Sequence, residues 1–178
     1  MRRELWDALA PLRRRREQLP VKWVTAENIH LSLKFLGDVD ESRDADLRAA
    51  LKHAAGTGSE PRPLTLQING FGVFPDYHRP HVLWAGVTPD PNLELLQHGV
   101  EQAFAPLGFA TEARPFRPHV TVGRAERDAR PRDFKGLEEI LAGTDFDETV
   151  TVEQVDLMQS TLKPEGAVYQ VRYHERLS

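Results

Sequence analysis

His30-Leu31-Ser32-Leu33 and His119-Val120-Thr121-Val122 spell one pattern twice: imidazole, apolar, hydroxyl, apolar. Successive side chains on a β-strand point to opposite faces, so each histidine shares a face with its hydroxyl partner. The aliphatic pair takes the other face and can be buried. Two such faces brought together surround a small space with two imidazoles and two hydroxyls, a set suited to acid–base attack at a phosphate. Imidazole takes and gives protons near neutral pH because its ordinary pKa is about 6.5. Random placement of these residue types in a chain of this composition gives about 0.1 such segments. Two occur, half the chain apart, the separation that an internal duplication would leave. For either segment alone, the alternative is an ordinary half-buried strand with an exposed histidine.

Other residues are weaker candidates. Arg124 follows the second segment, but five positions after His119 strict alternation puts it on the wrong face. A bulge at Gly123 would turn it inward. Lys34 and Arg117 do share the motif faces and could meet a phosphate, or be solvated charges. Asp76, His78 and His81 have the spacing of a metal site, yet they lie between Pro75 and Pro80 and read as a loop. No metal is therefore expected. Trp84 reads as core, and Trp23 as core or as a surface that stacks a base. His53, His98 and His174 lack the hydroxyl partner and read as surface residues. The chain carries no P-loop and no GxSxG segment.

Composition narrows the classes. With 178 residues the chain is one domain or two small lobes sharing a core. It is 40% hydrophobic and 28% charged, which is globular. A net charge of −4 argues against broad wrapping of nucleic acid and leaves room for a local grip on a phosphorylated end. There is no cysteine, hence no disulfide framework, thiol nucleophile or zinc–thiolate site. No apolar run approaches the roughly 20 residues of a membrane span, and no apolar stretch follows Arg2 and Arg3 as in a secretory leader. A soluble cytoplasmic monomer is the expectation.

The elements that must position the motifs can be read in order. Leu5, Trp6, Leu9 and Leu12 recur at helical spacing, with Pro11 kinking or splitting the helix and an arginine run, Arg13 to Arg16, as a solvated face. Val21-Lys22-Trp23-Val24 alternates as a short strand, and a turn at Glu27-Asn28 leads into a motif strand over 29–36. Asp40 or Ser42 caps a helix that Gly56 closes. Strands follow over 64–68 and 81–87, then a helix opened by Pro91 with Leu93, Leu96, Val100 and Phe104 along one stripe. The second motif strand spans 116–122. A short helix over 137–141, a bulged strand over 150–157, a turn at Lys163-Pro164-Glu165-Gly166 and a last strand over 167–173 complete the pattern. Interleaved helices and hairpins predict an α+β class with antiparallel sheets.

Taken with their surroundings, these motifs resemble the 2H phosphoesterase superfamily, and within it the RNA 2′,3′-cyclic phosphodiesterases, also called 2′-5′ RNA ligases. The resemblance runs through Trp23-Val24, Glu27-Asn28-Ile29-His30-Leu31-Ser32-Leu33-Lys34-Phe35-Leu36-Gly37, Gly72-Val73-Phe74-Pro75, Val82-Leu83-Trp84-Ala85-Gly86-Val87, Phe116-Arg117-Pro118-His119-Val120-Thr121-Val122-Gly123-Arg124 and Ser160-Thr161-Leu162-Lys163-Pro164-Glu165-Gly166-Ala167-Val168-Tyr169. It implies a single α+β domain over 1–178 with two lobes, antiparallel sheets flanked by helices, and a central cleft to which each lobe offers one motif. It also implies cleavage of RNA 2′,3′-cyclic phosphate ends to 2′-phosphomonoesters without metal or cofactor. By position His30 matches the family's general acid and His119 its general base. Ser32 and Thr121 match hydroxyls that hold phosphate oxygens, and Arg124 an arginine that contacts the phosphate. One departure is the lack of an apolar strand before the first helix. Either the sequence starts inside the family's domain or the sheet closes without that strand. The partners expected are RNA ends or cyclic nucleotides, with another cyclic or 2′-5′-linked substrate, or a non-catalytic RNA-end binding module, as alternatives. Two imidazoles, one starting neutral and one protonated, give a bell-shaped rate profile centred near neutrality; a rate that stays flat from about pH 5 to about pH 9 rules this out.

Overall fold

The computed structural model describes residues 2–14, 19–56, 62–163 and 166–178, and of 162, 163 and 166 the backbone alone. By their internal contacts the residues fall into two units. The first comprises Met1–Leu31, Gln67–Thr88 and Pro118–Val150, the second Ser32–Leu66, Pro89–Arg117 and Thr151–Ser178.

The first unit opens with α1 (Arg2–Ala8) and α2 (Ala10–Arg14). The helical stripe breaks at Leu9, and Pro11 is the second residue of α2, where its missing N–H costs nothing. Leu5, Leu9 and Leu12 are fully buried. Arg13 does not belong to a solvated face: its guanidinium stacks on the Trp6 ring at 3.6 Å and donates to the Trp6 carbonyl. Arg15 and Arg16 lie outside the described residues. A five-stranded sheet follows in the order β1-β4-β3-β2-β5. Its strands are β1 (Val21–Trp23), β2 (Leu64–Phe74), β3 (Val82–Val87), β4 (His119–Ala125) and β5 (Asp147–Val152). The pairs β1/β4, β4/β3 and β3/β2 are antiparallel. Alternation decides the buried side: Leu83, Ala85 and Val87 on β3 and Val120 and Val122 on β4 are nearly inaccessible. α5 (Leu137–Ala142) adds Leu137 and Leu141 to the buried set.

The second unit holds α3 (Asp44–Ala55), α4 (Pro91–Phe104) and a hairpin of β6 (Gln154–Lys163) and β7 (Gly166–Arg176). Asp40, at the start of a 3-10 turn ahead of α3, accepts from the Ser42 hydroxyl and from the Ser42 N–H, which together hold its carboxyl below the usual carboxylate range. Asp90 accepts from the N–H groups of Asn92 and Leu93 at 2.9 Å each and caps α4, with Pro91 at its first position. Leu47, Ala50 and Leu51 of α3 meet Val100 and Phe104 of α4, and Val155, Leu157 and Tyr173 of the hairpin cover them. At about 1.5–3 kcal/mol per large apolar side chain, this cluster sets the stability of the unit. The pattern over 150–157 predicts one bulged strand. The chain instead makes two strands, β5 and β6, that break at Glu153 and join different sheets. The turn predicted at Pro164-Glu165 lies outside the described residues.

Lys34 is a correction to the sequence reading. It faces no solvent: its ammonium pairs with the Glu101 carboxylate of α4, their side chains 6% and 8% exposed, and donates to the Ala110 carbonyl. Glu101 also accepts from the Gln97 side chain and the Glu112 N–H, so the buried charge is fully solvated by protein. Leu33 and Leu36 on either side of Lys34 pack on the α3/α4 cluster. That packing is why the strand predicted over 29–36 is absent: after a single bridge at Leu31 the chain leaves the sheet. Glu101→Ala strands a buried ammonium, and urea unfolding is expected to show a loss of about 3–5 kcal/mol, while Lys34→Met with Glu101→Leu costs far less. Equal losses for the two variants refute the pairing.

Candidate active site

β4 has β3 on one side, and on the other the edge strand β1 and then Leu31. Register assigns each residue to a face. His119 and Thr121 lie opposite Gly86 and Trp84, on the face away from the buried Val120 and Val122. Unbroken alternation would put Arg124 on the buried side. The register shifts, however: Leu83 pairs with Gly123 and Trp84 with Thr121, so Val122 is an extra residue on β4. This bulge resets the phase. Gly123 turns toward the core with Leu83, and Arg124, opposite Val82, returns to the face of His119 and Thr121. The bulge that the sequence required for an inward Arg124 is present in the backbone. Gly123 also admits β1, since a Cβ there would meet Val21 Cγ1 at 2.7 Å and the Trp23 ring at 3.2 Å.

The first motif reaches the same face by a single link. Leu31 forms an antiparallel bridge with Val120. Antiparallel counting from that bridge sets His30 against Thr121, on the side of β4 that bears His119. His30 Nδ1 lies 2.6 Å from the Asn28 carbonyl oxygen. A carbonyl only accepts, so Nδ1 carries the proton and donates. Neutral His30 therefore presents Nε2 as its lone-pair nitrogen, and protonated His30 presents Nε2–H. Asn28 ends the 3-10 turn Ala26–Asn28, the turn predicted at Glu27-Asn28, and this turn places the acceptor.

His119 is braced by aromatic rings. Phe74 at the end of β2 meets it edge to face, centroids 5.1 Å apart at 83°, and Phe74 in turn lies 5.3 Å from Trp84. A Cβ on Gly72 would fall 2.3 Å from the Trp84 ring, so the indole lies directly over that glycine. Trp84 is thus not a core residue. Leu83 and Ala85 take the core side of β3, and Trp84 shares the face of the histidines. Trp23, opposite the core-facing Gly123, is on the buried side.

Ser32 is the first residue of the second unit and is half-buried. Arg117 is exposed, in the second unit, and precedes β4, which starts at His119 rather than at 116. Asp76 accepts from the N–H groups of His78 and Arg79 and organises its own loop. A groove of about 540 Å³ on the first unit, lined by Tyr77, His78, Arg132, Phe134, Lys135 and Glu138 among others, touches none of the motif residues. Sequence reasoning missed Phe74 and Lys22 on the site face. The signal for Phe74 was its phase with Gly72, and for Lys22 its alternation with Val21 and Trp23.

Residues 2–164 match the model of the 2′-5′ RNA ligase superfamily. A protein of Methanothermobacter thermautotrophicus named RNA 2′,3′-cyclic phosphodiesterase is 35% identical over 151 residues, 84% of this chain and 78% of its own length. One of Aquifex aeolicus with the same name is 34% identical over 155 residues, 84% of this chain and 78% of that protein. The crystal structure of TT0787 of Thermus thermophilus aligns with 99% of this chain and 89% of its own, at 25% identity and a TM-score of 0.74. The α+β architecture is shared with that structure.

The His30–Asn28 hydrogen bond makes a spectroscopic prediction. Nitrogen-15 spectra of the neutral imidazole should show His30 protonated at Nδ1; the Nε2-protonated tautomer is the outcome that discards this arrangement.

Proposed function

Because the chain belongs to the 2′-5′ RNA ligase superfamily, we propose that it opens RNA 2′,3′-cyclic phosphate ends to 2′-phosphomonoesters by acid–base catalysis between His119 and His30. The observation that carries this is the bridge between Leu31 and Val120, which supports placing His30 on the side of β4 that bears His119. The names of the relatives support the substrate class.

The chemistry follows from the groups available. His119, neutral, accepts a proton from the attacking water as its oxygen bonds to phosphorus. The bond from phosphorus to the ribose 3′ oxygen breaks, and that oxygen takes the Nε2 proton of His30. The product carries a 2′-phosphate and a 3′-hydroxyl. His30 ends neutral and His119 protonated, and exchange with solvent resets both. The Asn28 carbonyl keeps His30 Nε2 toward the reaction by holding Nδ1. Negative charge grows on the non-bridging oxygens in the transition state. The Thr121 hydroxyl and the Arg124 guanidinium, on the same face, can stabilise it. Ser32 joins this set on the family resemblance alone. Both proton transfers are supplied by side chains, so turnover should persist in a chelator.

A positioned acid or base contributes about 10²–10⁴-fold. His30→Ala and His119→Ala, assayed on a 2′,3′-cyclic nucleotide, should each lose turnover in that range while still binding the product. Turnover that survives both substitutions overturns the mechanism. A wild-type protein that binds the cyclic nucleotide without opening it is instead an RNA-end binding module.

A further inference from the structure

Phe74 starts far from His119 along the sheet, yet their rings meet. On β3 the partner of Phe74 is Val82 and that of His119 is Gly86, four residues further on. At about 3.3 Å per residue and about 4.8 Å per strand, the two backbones are roughly 16 Å apart. The ring centroids are 5.1 Å apart at 83°. Both side chains therefore lean toward each other across β3. Trp84, which stands between Val82 and Gly86 on that face of β3, has its ring 5.3 Å from that of Phe74. The indole lies close to the sheet because Gly72 has no side chain; a Cβ there would fall 2.3 Å from it. Gly86 is bare as well, and a Cβ there would meet the Asn69 carbonyl oxygen at 2.7 Å. A residue on a strand ordinarily packs against the side chain opposite it. Gly86 offers His119 no such side chain, and the Phe74 ring packs on the imidazole in its place. The core does not require Phe74, since Val73 and Leu83 fill that side of the β2/β3 pair.

We propose that Phe74, seated against Trp84, is a positioning residue for His119: it holds the imidazole in the orientation in which it takes the proton of the attacking water. This rests on the function proposed above and adds to it residues that act through His119 rather than on the substrate. The outer side-chain torsion of histidine has only broad minima, so what the ring packs on sets its orientation. Edge-to-face contact with an aromatic ring narrows that choice. A reacting group misplaced by about 1 Å can cost about 10²-fold in rate. His30 takes its orientation from a hydrogen bond to the Asn28 carbonyl, and His119 takes its own from a ring. Trp84 and Gly72 act at one remove, because a side chain at position 72 would displace the indole against which Phe74 rests.

On a 2′,3′-cyclic nucleotide, Phe74→Leu should lower kcat about tenfold, the scale of one aromatic pair, and leave KM within about twofold. Phe74→Tyr keeps the ring and should stay within about twofold of the wild type. Gly72→Ala should reproduce the loss. The effect of Phe74→Leu should be as large in a His30→Ala background and vanish in a His119→Ala background, because a positioning residue has nothing to act on once the imidazole is gone. The same factor in all three backgrounds, or a loss carried by KM, makes the role of Phe74 structural and overturns the proposal. Proton resonances read the contact without turnover. The carbon-bound imidazole protons of His119 should be displaced by the Phe74 ring current in the wild type and return in Phe74→Leu; resonances that do not move overturn the contact. If the wild type opens no cyclic nucleotide, the catalytic reading fails, and the resonances still decide whether Phe74 holds the His119 ring.

Discussion

The period of two along a strand dictates which side chains can act together, and β4 breaks that period once. Val120 and Val122 are needed under the sheet, His119 and Thr121 above it, and one added residue at Val122 brings Arg124 back above. The bulge in turn depends on the absence of a side chain at Gly123, because Val21 and Trp23 of β1 occupy the space a Cβ would fill. β1 then carries Lys22 to its place opposite Arg124. A single backbone irregularity thus couples core packing, the edge strand and the cationic end of the site face.

Support for the two histidines is unequal. His119 stands on a regular strand, between β3 and the Leu31 bridge, with Phe74 against its ring. His30 has no regular strand of its own. It is held by the 3-10 turn before it, through the Asn28 carbonyl, and by one bridge after it. A group that must give up a proton in one direction gains from a fixed tautomer. The buried Lys34–Glu101 pair anchors the chain shortly beyond, within the second unit.

Much of this was legible in the sequence. Alternating aliphatic residues announced β3 and β4, and Asp90-Pro91 announced the start of α4. The pairing of two histidine motifs pointed to one site. Less legible were features that depend on partners far along the chain. Lys34 reads as a surface cation until Glu101 is found beside it, 67 residues later in sequence. Trp84 reads as core because its neighbours are apolar; what reverses it is Gly72 on the adjacent strand, over which the indole fits. The strand predicted over 29–36 fails because Leu33 and Leu36 find a better burial against α3 and α4 than a sheet edge offers. Local pattern gives the phase of a strand, and tertiary partners decide where that phase is kept.

All three tryptophans, Trp6, Trp23 and Trp84, fall in the first unit. Indole emission is therefore a private channel of the unit that bears both histidines, and the helices and hairpin of the second unit are dark in it. The helical far-ultraviolet dichroism comes in larger part from α3 and α4, with α1, α2 and α5 of the first unit contributing the smaller part. Following both signals through one denaturation separates the loss of the histidine-bearing sheet from the melting of α3 and α4, with no label attached to the chain.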